Sequence, residues 1–281
     1  MRIRVAHETT YRYERPAKSV IQTLRLTPRS HDGQHVARWR IDIDQDVRLT
    51  VSEDAFGNIT HAFSAAGTIE TLHVRVIGEV ETHDKAGVLH GVIERFPVSL
   101  YLRETDLTKA DEIIRDFALE IAGDEDSPLA ASHALMEAIH DRVEVNRDRV
   151  QVATTISEAF GKRRGICQDL AHLFIACARE LKIPARYVSG LLYQPDAGEA
   201  NANANHAWAE TYVEGLGWVA FDPSLQLCPT VNHIRVAAGL DYLSAAPVRG
   251  AHYGGEGESL DVHFDIGEKF SHQQGQSQSQ N

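Results

Sequence analysis

The chain has 281 residues, 43% of them hydrophobic, enough apolar material for one large domain or two modest ones. Its 28 basic and 40 acidic residues leave a net charge of −12, which argues against a general affinity for nucleic acid or anionic membrane. No apolar run approaches the ~20 residues needed to cross a bilayer, and the opening Met1–Glu8 stretch alternates polar and apolar residues instead of forming a signal-peptide core, so a cytoplasmic protein is expected.

Residues 1–82 read as a β-rich module. Ile3, Val5, Thr9, Tyr11 and Tyr13 alternate with polar neighbours, as do Trp39/Ile41/Ile43, Val47/Leu49/Val51 and Leu72/Val74/Val76. This period of two marks strands with one buried face, and Phe56-Gly57-Asn58 is a turn signal between them. Residues 83–107, with Gly87, Gly91 and Pro97, form a connecting segment to a second region, 108–245.

Helical spacing then takes over. Ile113, Phe117 and Ile121 recur at intervals of four, and Ser127-Pro128 is an N-cap with proline in the first turn, followed by Leu135, Ile139 and Val143. Thr155-Ile156-Ser157-Glu158 fits a capping box for a short helix that the Gly161–Gly165 loop ends. From Cys167 a helix is predicted to about Lys182, with Leu170, Phe174, Cys177 and Leu181 on one face, until Ile183-Pro184 stops it. Strands return at Arg186–Tyr193, His206–Val213 and Trp218–Asp222, the last two joined by the hairpin signal Glu214-Gly215-Leu216-Gly217. The small-residue loop Pro195–Asn205 enters His206 directly and is a candidate lid. Residues 246–281 form a C-terminal extension whose Gln/Ser-rich end, from Ser271, is expected to be disordered.

Three residues on three predicted elements carry chemistry: Cys167, His206 and Asp222. At a helix start, the positive dipole end and unpaired N–H groups favour a thiolate, the reactive form of cysteine. A neighbouring imidazole completes a Cys⁻/His⁺ pair. His206 and Asp222 are both even-numbered, and a three-residue hairpin loop pairs positions of equal parity, so the carboxylate can orient the ring. Gly165 permits a tight turn and close approach of substrate before the nucleophile. Cys177 lies on the apolar helix face and reads as a packing thiol, and Cys228 has no histidine in predicted reach. The three cysteines make no C-x-x-C pair and no disulfide framework is expected. The fifteen histidines include no H-E-x-x-H, so neither a metal nor another cofactor is expected.

These residues sit in blocks that resemble the transglutaminase-like superfamily in its bacterial two-part form: Gly165-Ile166-Cys167, His206-Ala207-Trp208, Gly217-Trp218-Val219-Ala220-Phe221-Asp222-Pro223, with Cys167-Gln168-Asp169-Leu170-Ala171-His172 and Ile183-Pro184-Ala185-Arg186-Tyr187-Val188-Ser189-Gly190. Thr10-Tyr11-Arg12-Tyr13, Leu24–Arg29 and Asp54–Asn58 resemble the β-rich region preceding that core. The resemblance implies an α+β fold, with an N-terminal β-sandwich-like module and a papain-like core whose nucleophile helix packs on an antiparallel sheet. It implies that Cys167 forms a thioester, His206 shuttles its proton and Asp222 orients His206. The Cys167 N–H is the natural first oxyanion donor. The substrate expected is a peptide or other amide and the reaction hydrolytic, with transfer to an amine, or an idle binding module, as alternatives. An arylamine N-acetyltransferase would carry Arg-Gly-Gly-x-Cys where this chain has Arg164-Gly165-Ile166-Cys167. A papain-like protease would place its histidine much further downstream and pair it with asparagine. Asp169 and His172 match the subgroup pattern, and His172 is expected to face away from the packed side of its helix, with a polar contact to the β module or a part in catalysis as the two readings. Arg163 and Arg164 read as a solvated turn that could also hold a substrate carboxylate.

Overall fold

The computed structural model describes residues 1–146, 155–195 and 204–268. Two long strands, β1 (Arg2–Thr27) and β4 (Ile59–Thr82), run antiparallel from Arg2 opposite Glu81 to Thr27 opposite Ile59. β2 (Gln34–Ile43) and β3 (Thr50–Glu53) pair with the far edge of β4. The predicted Val47/Leu49/Val51 strand is reduced to β3, all of whose residues are exposed, while Val47 and Leu49 before it are partly buried against the core of the N-terminal sheet.

Register breaks between Arg12 and Ser19 bend β1. Before the break the buried apolar side chains are odd-numbered (Ile3, Val5, Tyr11, Tyr13), and after it they are even-numbered (Val20, Leu24, Leu26). A one-residue slip exchanges the faces of a strand, so the irregularity keeps both halves of β1 pointing into apolar surroundings. The free edge of β1 is completed from the far end of the chain: β12 (Val248–Gly254) pairs with its second half and β13 (Glu258–Glu268) with its first. The C-terminal extension is therefore two strands of the N-terminal, six-stranded sheet.

The second sheet is antiparallel, in the order β11-β8-β9-β10-β5, from β5 (Val88–Leu89), β8 (Ala185–Leu192), β9 (Asn205–Val213), β10 (Gly217–Phe221) and β11 (His233–Gly239); β6 (Glu144–Val145) and β7 (Arg164–Gly165) form a separate parallel pair. β5 comes from the connecting segment, and β11 was not anticipated from sequence. Helices α1 (Glu112–Ala122), α2 (Pro128–Arg142), α3 (Ile156–Lys162) and α4 (Cys167–Glu180) cover one face of this sheet. Asp111, Ser127 and Thr155 cap the first three, accepting backbone N–H groups at 2.9, 3.2 and 3.2 Å. In α1 the buried face is Ile114, Phe117, Ala118 and Ala122, whereas Ile113 is 65% exposed. The predicted 113/117/121 stripe is therefore rotated: the spacings 114, 117, 118 place a tighter stripe against α2 and α4.

Every residue of α4 from Asp169 to Arg179 is buried, where the sequence suggested one apolar face. Sheet residues press on one side and α1–α3 on the other. The polar Arg179 is accommodated by giving its guanidinium protons to Tyr101 O, Thr108 Oγ1, Ala185 O and Leu240 O at 2.7–2.9 Å.

Two side-chain amides join the sheets along the edge strand β11. Gln34 accepts from Arg235 N–H at 2.8 Å and donates to Arg235 O at 2.9 Å, and Asn58 does the same with Ala238 at 2.8 Å each way. Backbone groups that would be an open edge are thereby satisfied. Among the described residues no helix is long and apolar enough to cross a membrane. Most of the candidate lid, residues 196–203, and the Gln/Ser-rich end lie outside the described residues.

Candidate active site

Cys167 is the first residue of α4 and is half-buried. Ile166 before it is extended, and its N–H donates to Asp169 Oδ2 at 2.9 Å. Asp169 thus closes the helix start from its third position, which answers what the Cys-x-Asp spacing does here. Gly165 has an ordinary backbone conformation, but an added Cβ would lie 3.0 Å from the Asp169 Cβ. Its glycine spares Asp169 and Leu170 a shift of a few tenths of an ångström beside that cap. As the first helical residue, Cys167 has no intrahelical acceptor for its N–H, consistent with the expected oxyanion donor.

His206 lies at the start of β9. Phe221 pairs with Ala209, so Asp222 continues the register opposite Trp208, one two-residue step from His206 on the same face. His206 Nε2–H donates to Asp222 Oδ2 at 2.5 Å. Nδ1 is the ring nitrogen left for Cys167, whose sulfur lies close enough to favour the charged ring. Beside them Gly190 pairs with His206, and an added Cβ there would lie 2.3 Å from the Trp208 ring. Only a glycine lets Trp208 lie against β8 under the imidazole.

Burial opposes charging His206, but the Asp222 carboxylate and the Cys167 sulfur outweigh it and raise its pKa to about 10. Burial likewise opposes ionisation of Asp222, yet His206 and His233 hold it far below the usual carboxylate range. The pair is therefore an ionised carboxylate and an imidazolium.

His233, in β11, was not picked out from sequence. Thr230 N–H donates to its Nδ1 at 3.1 Å, which assigns the ring proton to Nε2, and Nε2–H donates to Asp222 Oδ2 at 3.3 Å. Ser224 gives its N–H and Oγ–H to Asp222 Oδ1 at 3.0 and 2.6 Å. Asp222 thus accepts four hydrogen bonds while fully buried. The signal lay in a histidine eleven residues beyond Asp222, a separation that only the turn between β10 and β11 makes meaningful.

His172 does not reach the β module. It is buried in the core, accepts Tyr242 N–H on Nε2 at 3.0 Å and lies against Tyr187 with ring centroids 4.8 Å apart. With both helix sides packed, no face was left to point outward. Burial lowers its pKa to about 4, so it is neutral. Cys177 is fully buried and burial pushes its thiol up, while burial also raises the half-buried Cys228. Arg163 caps α3 in a left-handed conformation, φ 51°, and Arg164 donates to Asn146 Oδ1 at 3.0 Å.

The ligand atoms of His206, Asp222 and His233 all lie within 4.8 Å of one another, a spacing that could hold a metal ion. An ion there would take the lone pairs that now join the Asp222 cluster, so metal binding and the His206–Asp222 hydrogen bond exclude each other.

The titrations predict a stability maximum near neutrality. His206 holds its proton more tightly when folded, so its contribution is complete below pH 6.5 and is lost as pH rises through about 10. His7, His31 and His172, lowered by burial to about 4, act oppositely: their contribution is present above pH 6.5 and is lost as pH falls through about 4. Thermal unfolding followed from pH 4 to pH 10 should give a dome, and the alkaline limb should flatten in Asp222→Asn.

Two family descriptions match this chain. The Transglutaminase-like superfamily matches residues 115–223, which include Cys167, His206 and Asp222, and the Bacterial transglutaminase-like N-terminal region matches residues 3–81. An uncharacterized protein of Mycobacterium leprae is 30% identical over 94% of this chain and 98% of its own length. The chain belongs to the transglutaminase-like superfamily. Within the superfamily it is also similar, at 33% identity over 34% of its length, to 16% of a protein-glutamine gamma-glutamyltransferase of Pseudomonas aeruginosa. Its fold matches the crystal structure of a Cytophaga hutchinsonii protein provisionally named a cysteine protease, with a TM-score of 0.76 over 96% of this chain and 92% of that one at 19% identity.

Proposed function

We propose that the protein is a thiol-dependent acyl-transfer enzyme that cleaves an amide or peptide bond by hydrolysis. The observation that carries this reading is His206, hydrogen-bonded to an ionised, fourfold-held Asp222 and close enough to Cys167 for the sulfur to raise its pKa. In the first half-reaction the His206 imidazolium already carries a proton on Nδ1, and the Cys167 sulfur, as the thiolate of a Cys⁻/His⁺ pair, attacks the amide carbonyl carbon. The oxyanion forms beside the start of α4, where the Cys167 N–H and the helix dipole favour negative charge. The C–N bond then breaks, the proton on Nδ1 passes to the leaving nitrogen, and a thioester is left on Cys167. In the second half a water gives one proton to Nδ1, its oxygen adds to the thioester carbon, and the thiolate departs.

An amine in place of water would make the same site a transglutaminase, a second reading that the similarity to the Pseudomonas aeruginosa glutamyltransferase favours. Incubation with a peptide library, with and without a primary amine, distinguishes the two by mass spectrometry. Cleavage or deamidation unaffected by the amine is expected, whereas amine-dependent crosslinks would favour transfer. Cys167→Ala should abolish every product. Iodoacetamide at pH 6 should label Cys167 well ahead of Cys228; equal labelling would mean an idle module.

A further inference from the structure

His233 stands beside the triad, its ring 5.8 Å from that of His206, and the acyl-transfer steps leave it without a task. It is buried, and the Trp208 indole meets it edge to face with ring centroids 5.4 Å apart. Its Nδ1 accepts the Thr230 N–H, so the ring is neutral and its one proton, on Nε2, is directed at Asp222 Oδ2. The same oxygen receives the His206 Nε2–H. Ser224 gives both of its donors to Oδ1. A carboxylate pinned at Oδ1 alone can still swing about its Cβ–Cγ bond, a soft torsion, and carry Oδ2 away from the imidazole. A second donor on Oδ2 removes that freedom, and a neutral one does so without a charge that would compete with His206 for the anion.

The N-terminal module holds this histidine from outside the core. Thr82, the last residue of β4, is buried and donates its hydroxyl to Val231 O at 2.6 Å, two residues before His233. Gln34 of β2 is bonded to both backbone groups of Arg235, two residues after His233, and its amide also reaches Arg29 O at 2.8 Å. Arg235 in turn gives its guanidinium to Glu210 on β9, the strand that carries His206. The backbone on either side of His233 is thus gripped by side chains of the first sheet.

We propose that His233 is a positioning residue of the reaction, which locks Asp222 Oδ2 onto His206, and that the N-terminal module serves catalysis by fixing His233 through Thr82 and Gln34. The assignment rests on the acyl-transfer reading, because it gives His233 its part within that site.

Turnover of p-nitrophenyl acetate, an activated ester that acylates the thiolate, tests it when measured above a Cys167→Ala blank. His233→Phe should lower kcat by about 10- to 100-fold with KM nearly unchanged, the loss expected when a donor to a charged group disappears. His233→Gln, which can again offer an uncharged N–H to Oδ2, should recover most of that loss. In proton NMR the far-downfield resonance of the His206 Nε2–H should shift or broaden in His233→Phe and return in His233→Gln, a signature that a merely structural role would not move. Thr82→Val, which removes one hydroxyl of the N-terminal module, should lower kcat by about threefold to tenfold and move the same resonance, with circular dichroism unchanged. That variant keeps the proposal falsifiable should His233→Phe not fold: unchanged kcat and an unmoved resonance in Thr82→Val would overturn it. So would a His233→Phe protein as fast as the original, or a His233→Gln protein as slow as His233→Phe. Iodoacetamide labelling of the unsubstituted protein separates the two failures: a reactive Cys167 with turnover indifferent to residue 233 sinks the positioning role alone, and a Cys167 no more reactive than Cys228 sinks the acyl-transfer reading.

Discussion

Asp222→Asn should lower the rate of acyl-enzyme formation by ~10³- to 10⁴-fold while leaving the fold intact. The reason is the direction of the hydrogen bonds at the carboxylate. Oδ1 receives a fixed backbone donor from Ser224, and Oδ2 receives donors from His206 and His233. An asparagine keeps its oxygen towards Ser224, because the backbone N–H cannot reverse, and so turns its amide NH₂ towards the histidines. His206 Nε2 must then accept, and its proton moves to Nδ1, the atom that has to receive the thiol proton. The carboxylate that raises the imidazole pKa is lost as well. Stopped-flow detection of the first turnover, with circular dichroism as the control for folding, measures both parts. First-turnover rates within tenfold of the original protein would show that Asp222 does not set the tautomer of His206.

The largest effect on stability is expected from Glu210→Ala. Glu210 is fully buried, and its carboxylate accepts from Arg186 Nε at 2.5 Å and from Arg235 Nε at 2.7 Å. Burial works against the charge on Glu210, but the two guanidinium groups hold it well below the usual carboxylate range. Removing the carboxylate takes the ion-pair partner from Arg235 and leaves Arg186, stacked on Trp218 at 3.9 Å, with Glu94 alone at 2.8 Å. Breaking a buried ion pair in this way costs about 3–5 kcal/mol, chiefly from the charge left unpaired. Urea unfolding should register that loss, and a change below about 1 kcal/mol would mean that solvent reaches the arginines. Catalysis should weaken too. Glu210 shares β9 with His206, and Arg235 shares β11 with His233, so the ion pair ties together the two strands that present both imidazoles to Asp222.

The elements carrying the triad were legible because their signals are local. A proline after Ser127, a capping threonine at 155 and Ile183-Pro184 mark helix ends through backbone chemistry that acts within one turn. The parity of His206 and Asp222 follows from the pleat of a hairpin with a short turn, so their common face could be read before any packing was known. The stripe on α1 was misread by one residue, because Ile113 and Ile114 are chemically equal and only the neighbouring helices choose between them.

The sequence by itself determined the nucleophile helix, the hairpin phase and the family blocks around them. Tertiary structure alone decided the rest: that His233 joins Asp222, that His172 is a buried core contact, and that residues 248–268 return to close the N-terminal sheet over a cavity. Each of these depends on contacts between segments distant in the chain. Such contacts are selected by the summed burial and hydrogen bonding of whole layers, and no local period or cap records them.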